Sequence, residues 1–174
     1  MPKIKVFLWQ LCHNSLPSRG TLFRRGLPMD PLCPACLNDI EDTDHISIHC
    51  PLARQVWNLA VAHNWLPQFS FPTLIAPLRD QLHDLATQDY PHITRVVLLL
   101  WSIWKSRNAL VFNDDASNPM GTLLRAKRSW AEWKLQDSSS STLSSSSTST
   151  HSPHRLHSTI PHFIRYEGYH SGYY

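Results

Sequence analysis

Four residues with metal-binding chemistry stand close together in the sequence. Cys33-Pro-Ala-Cys36 is followed after eight residues by His45 and after four more by Cys50. Two cysteines separated by two residues can turn both thiolates toward one ion. Zn²⁺ takes four nitrogen or sulfur donors in a tetrahedron, at about 2.3 Å to sulfur and about 2.0–2.1 Å to nitrogen. His45 and Cys50 supply the second pair from another short element, and Asp42 or Thr43 is placed to cap a helical turn that presents the imidazole. His49 adjoins Cys50, so His45–His49 is an alternative donor pair. Cys50 is preferred because Cys₃His is a common closed site, which leaves His49 a supporting or surface role. A closed site keeps no position for water, so the expected cofactor is one structural Zn²⁺ that orders a loop and does no catalysis. The acids of that loop, Asp39, Glu41, Asp42 and Asp44, read as solvated residues. Cys12, on a helix with an apolar face, reads as a core thiol.

Nothing else in the chain has the spacing of a reactive site. There is no Gly-rich phosphate loop, no Gly-x-Ser-x-Gly elbow and no His-Glu-x-x-His, so no catalytic residue is expected and the chain reads as a non-enzyme without a small-molecule substrate. His151, His154, His157, His162 and His170 are irregularly spaced without cysteine, which fits a solvated tail better than a metal tract. Tyr166, Tyr169, Tyr173 and Tyr174 with Arg165 read as unselected sequence beyond the domain, base stacking being the lesser reading.

Charge is uneven. Lys3, Lys5, Arg19, Arg24 and Arg25 precede the cysteine cluster without an acid before Asp30, whereas residues 33–50 hold four acids and no Lys or Arg. The net charge of +3 alone names no partner. The basic arm does: clustered cations bind phosphates by releasing counterions, and RNA or single-stranded DNA is the expected partner, held weakly and without sequence reading. The acidic loop argues against the zinc element gripping nucleic acid itself. The competing reading is a structural or protein-interaction remnant that binds no nucleic acid. The longest strongly apolar run, Val96–Trp104, is far short of the roughly 20 residues a membrane helix needs, and no export signal is visible. A reducing intracellular compartment follows, nucleus or cytoplasm, where close cysteines bind metal more often than they pair.

The elements that must position these residues are helices. Ile4, Phe7, Leu8 and Leu11 give an amphipathic helix over 3–13, and Ser18 caps a short helix ending at Gly26. Pro51 opens a helix with Leu52, Val56, Leu59, Ala60 and His63 on one face, residues 65–72 form a loop, and 73–87 form a helix broken at Pro77. The most regular helix runs from His92 to Phe112, with Ile93, Val96, Val97, Leu100, Trp101, Trp104 and Asn108 in register. Lys105 and Arg107 lie near its end, where the helix dipole favours cations. Asn118 and Pro119 start a last helix with Leu123, Lys127, Trp130 and Lys134 on one stripe. No period-two segment is long enough to build a sheet. From Ser138 to Ser152 the chain is almost entirely Ser and Thr, too poor in apolar surface to fold, so 137–174 reads as a disordered tail. The fold class is thus mainly α: a small zinc-stabilised helical domain with a Ser-rich tail.

Several of these segments together resemble a known family. Lys3-Ile-Lys-Val-Phe-Leu-Trp9, Leu16-Pro-Ser-Arg19, Arg25-Gly26, Cys33-Pro-Ala-Cys36, Asp44-His45-Ile-Ser-Ile-His49-Cys50-Pro-Leu-Ala53 and Val56-Trp57 look like the zinc-binding domain downstream of the polymerase in plant LINE-type (non-LTR) retrotransposon reverse transcriptases. Trp101-Ser-Ile-Trp104-Lys-Ser-Arg107-Asn108 and Phe112-Asn113 are similar to the tract joining that domain to a ribonuclease H domain. The resemblance implies a metal role for Cys33, Cys36, His45 and Cys50. It divides the chain into a zinc-binding domain with its Trp-rich linker helix over 1–113, a loop and further helix over 114–136, and the tail. Neither a polymerase nor the spaced carboxylates of a ribonuclease H accompanies the match, so the expectation is a fragment of a retrotransposon reading frame that lacks the catalytic parts.

Overall fold

The computed structural model describes residues 2–68, 76–88, 92–116 and 118–142, with side chains through 136. Helix α1 spans Pro2–Cys12 and buries Phe7, Leu8 and Leu11. Helix α2 spans Arg19–Arg24 and starts as the sequence predicts: the Ser18 hydroxyl accepts the Thr21 N–H. It closes on Gly26, at φ +87, whose N–H donates to the Phe23 carbonyl while the Leu27 N–H reaches that of Leu22. That double bond pattern needs a left-handed residue, which glycine supplies without strain. A single π-helical turn, His45–His49, leads into α3, Pro51–Ala62. Helices α4, α5 and α6 span Leu78–Thr87, Ile93–Asn113 and Pro119–Thr142. Among the described residues the β structure is one isolated antiparallel bridge, Leu32 to Ile40.

Helix α5 is the axis. Its residues Val96–Leu100 are all buried, so this stretch is apolar all round and must be covered on every side. Helix α6 packs along it, α3 and the π turn lie against the pair, and α1 and α4 cover the remaining side. Phe7 of α1 joins two tryptophans of α5, its centroid 5.2 Å from that of Trp101 and 6.5 Å from that of Trp104. The core takes in Trp57, wholly buried, whose indole N–H donates to the Ser47 carbonyl at 2.9 Å and so ties α3 to the π turn.

Several local expectations change. Trp65 and Leu66 stand in the expected loop yet are buried core residues, and the Trp65 carbonyl accepts a hydrogen bond from Arg95 at 3.0 Å. Pro77 does not kink a helix; it immediately precedes α4, because proline suits a helix start better than its interior. Residues 69–75 lie outside the described residues. In α6 the buried side chains are Thr122, Leu123 and Ala126, with Met120 and Trp130 packed beside them, whereas Lys134 is exposed. The stripe is therefore centred one position away from the expected one. Helix α6 also runs five residues into the Ser-rich segment, to Thr142; extending an existing helix is far less costly than nucleating one. The rest of the expected tail, 143–174, lies outside the described residues.

Candidate metal centre

The cysteine pair sits in a tight turn between two strands of backbone that exchange bonds. The Cys33 N–H donates to the Asp39 carbonyl at 2.8 Å, and the Glu41 N–H to the Pro31 carbonyl at 2.9 Å. Leu37, just after Cys36, has φ +58 and donates its N–H to the Cys33 carbonyl. This left-handed residue reverses the chain, a conformation that costs an L-residue about 1–2 kcal/mol.

The second pair is presented by the π turn. Asp42, not Thr43, caps its approach, accepting the His45 N–H at 2.7 Å. The Cys50 N–H donates to the His45 carbonyl at 2.7 Å. Residues five apart on an α-helix would point about 140° away from each other. The wider π turn reduces that divergence and lets His45 and Cys50 face one point, a recurrent use of π geometry at functional sites. Cys50 then stands at the start of α3.

These two elements bring the donor atoms of Cys33, Cys36, His45 and Cys50 within 4.8 Å of one another. Cys33 Sγ lies 4.0 Å from Cys50 Sγ, and Cys36 Sγ lies 3.3 Å from His45 Nε2. Tetrahedral zinc with ordinary bond lengths has edges of about 3.6–3.8 Å. The observed distances bracket that value, so the donor set fits one zinc ion. His49 occupies the same π turn, half-buried, but its ring is not in the group. Cys12 is half-buried against the core, away from the cluster. With Nε2 turned inward, His45 Nδ1 stands 3.9 Å from Asp39 Oδ2, an exposed carboxylate placed to hold the imidazole's orientation.

The electrostatics are those of crowded thiols. The hydrogen bond with Cys50, together with burial, pushes the Cys33 thiol up to about 12. The same bond lowers Cys50, against the effect of burial, so of this pair Cys50 gives up its proton first. Burial opposes the His45 imidazolium, but its hydrogen bonds with Cys33 and Cys36 outweigh it and raise the ring to about 9. Zinc binding must therefore displace protons from at least Cys33 and His45 at neutral pH. Apparent zinc affinity is expected to rise about tenfold per displaced proton per pH unit, or roughly 100-fold between pH 6.5 and pH 7.5. Competition with a chromophoric chelator at the two pH values measures it, and equal affinities would contradict the proton count.

Residues 1–57 match the family described as zinc-binding in reverse transcriptase. The match takes in all four donor residues. A protein of Arabidopsis thaliana provisionally named a ribonuclease H protein is 25% identical over 114 residues, covering 65% of this chain. The chain spans 18% of that relative's length. No solved structure gives a significant match. The matched stretch stops at Trp57, in the middle of α3, while the fold continues through α6.

One acid of the loop is not solvated. Glu41 is wholly buried, and both its oxygens meet Arg107 of α5, Nε to Oε1 at 2.8 Å and Nη2 to Oε2 at 2.5 Å. Its Oε2 also accepts the Arg19 N–H at 2.7 Å. The Glu41 carbonyl accepts the Gly20 N–H, and a Cβ on Gly20 would stand 2.6 Å from that carbonyl oxygen, so only glycine permits the approach. Glu41 thus joins α2, the zinc loop and α5. Arg107 likewise is not an end-of-helix cation: α5 continues to Asn113, and the Arg107 guanidinium lies over the Trp104 ring at 5.3 Å. A signal was present in the sequence. Arg107 follows Trp104 by three residues and so continues the apolar stripe, a position where a charge needs a buried partner. Asp44 is half-buried as well, and accepts the Leu78 N–H at 3.3 Å.

Of the five expected phosphate contacts, Lys3, Lys5, Arg24 and Arg25 are exposed. Arg19 is half-buried at the start of α2, and Arg24 donates to the Thr21 hydroxyl at 3.2 Å.

Proposed function

We propose that this chain is a non-catalytic accessory module of retrotransposon origin, in which one zinc, held by Cys33, Cys36, His45 and Cys50, fixes helices that bind nucleic acid. The observation that carries the reading is the solvent exposure of Lys3, Lys5, Arg24 and Arg25 on two successive helices in a stretch with no acid before Asp30. Four protein donors leave zinc no open position for water, which supports a structural role. The Arabidopsis relative is named for a ribonuclease H, which agrees with work on nucleic acid. Unpaired thiolates of this kind belong in a reducing compartment.

Binding of this kind is electrostatic. Log K should fall against log salt with a slope of roughly −0.7 for each phosphate neutralised on a single strand. Replacing Arg24 and Arg25 with Gln is expected to reduce the slope by about one to two contacts without releasing zinc. Fluorescence anisotropy with a labelled oligonucleotide at two salt concentrations, with zinc measured in parallel, tests this. Absence of binding at about 50 mM salt would leave a zinc-ordered helical or protein-interaction remnant instead.

A further inference from the structure

The solvent face of the first two helices is not simply cationic. Lys5 and Trp9 on α1 and His13 in the turn just after it follow one another at four-residue intervals and are all exposed, with exposed Val6 beside them. The Trp9 indole is 43% exposed and stacks on the His13 ring, centroids 4.6 Å apart and planes 29° from parallel. The His13 Nδ1–H donates to the Trp9 carbonyl at 2.7 Å, so the imidazole buttresses the indole from a fixed position. On α2, Phe23 is 51% exposed and directly precedes Arg24 and Arg25.

Other aromatic rings among the described residues differ. Phe7, Trp57, Trp65 and Trp104 are buried, and Trp101, Trp130 and Trp133 are half-buried. Phe112 is exposed, but Asp114 and Asp115 follow it closely and repel a polyanion. Trp9 and Phe23 alone in this set combine an accessible ring with cationic neighbours and no acid nearby in sequence.

Building on the nucleic-acid reading above, we propose that these two helices take a single strand, with bases stacking on Trp9 and on Phe23 while Lys3, Lys5, Arg24 and Arg25 meet the phosphates. The chemistry sets the class of partner. In a duplex the faces of the bases are covered by their neighbours, so an exposed ring gains nothing from them. In a single strand each base offers a π-face, and stacking is indifferent to sequence because every base has one. Cations alone would favour the duplex, whose charge density is higher. A preference for the single strand is therefore the signature of the aromatic residues. The charge also favours a polyanion over an apolar protein helix as occupant of the α1 face.

The test uses the full zinc-loaded chain, a labelled 20-nucleotide oligo(dT), and a mixed-sequence duplex of equal length, titrated at about 50 and about 150 mM salt. The single strand should bind more tightly than the duplex. Trp9→Ala and Phe23→Ala should each weaken single-strand binding about fivefold or more, leave the duplex unchanged and leave the salt slope unchanged. Trp9→Phe should retain most of the affinity, and unchanged zinc content and circular dichroism should accompany each variant. If both alanine variants bind oligo(dT) like the parent, or lose both forms equally, stacking is overturned while the electrostatic reading stands. If neither nucleic acid binds the parent protein at about 50 mM salt, both readings fall.

Discussion

Cys36→Ser is expected to abolish stoichiometric zinc and with it the fold of the first half of the chain. Structural zinc contributes on the order of 10 kcal/mol or more at neutral pH, comparable to the whole stability of a domain at about 5–15 kcal/mol. The tip of the zinc loop, after Cys36, has little else to hold it. Leu37, Asn38, Asp39 and Ile40 are exposed, and the turn carries Leu37 in a left-handed conformation. Cys33→Ser should act likewise, whereas Cys12→Ser should retain one zinc per chain, since that thiol lies outside the cluster. His45→Ala should lose metal and His49→Ala should keep it. Metal analysis of the purified variants, read with far-UV circular dichroism, decides the matter. Full zinc in Cys36→Ser, or a larger loss from His49→Ala than from His45→Ala, would overturn the ligand set.

The second large effect is expected at Arg107, far from the metal in sequence. Removing one partner of a buried ion pair leaves the other charge uncompensated and costs about 3–5 kcal/mol. Glu41 has no solvent exposure at all, and Arg107 has only 7%. Arg107→Ala should therefore cost about 3–5 kcal/mol in denaturant unfolding followed with zinc present throughout. Joint replacement, Glu41→Leu with Arg107→Leu, should cost less than the sum of the single changes, because neither charge is then stranded. Additivity within about 0.5 kcal/mol would mean that the two residues do not depend on one another.

These residues mark the boundary of what the sequence makes legible. The donor pattern, the Ser18, Asn118 and Pro51 helix starts and the Val96–Trp104 stripe are all readable because each is local: spacing, capping chemistry and periodicity act over a few residues. The structure brings together the four donors that the spacing singles out. What escapes is non-local. Glu41 looks like its neighbours Asp39 and Asp42, and nothing within ten residues tells that its partner lies 66 positions away. The π turn is also hidden, since an α-helical count would set His45 and Cys50 on diverging faces. Trp65 and Leu66, in a stretch with no helical period, join the core only because tertiary packing reaches them.

The packing of α3 also sets how this unit could be passed between polypeptides. The recognised segment stops at Trp57, yet Val56 and Trp57 are buried, and α3 rests on the π turn on one side and on α6 on the other. Cutting after Trp57 would halve a helix and strip its apolar face of the partner that covers it. Inheritance of the zinc ligands alone would deliver a knot without the rope it is tied around. A unit that folds by itself therefore has to include α5 and α6 along with the cysteines, well beyond the stretch in which the metal ligands occur.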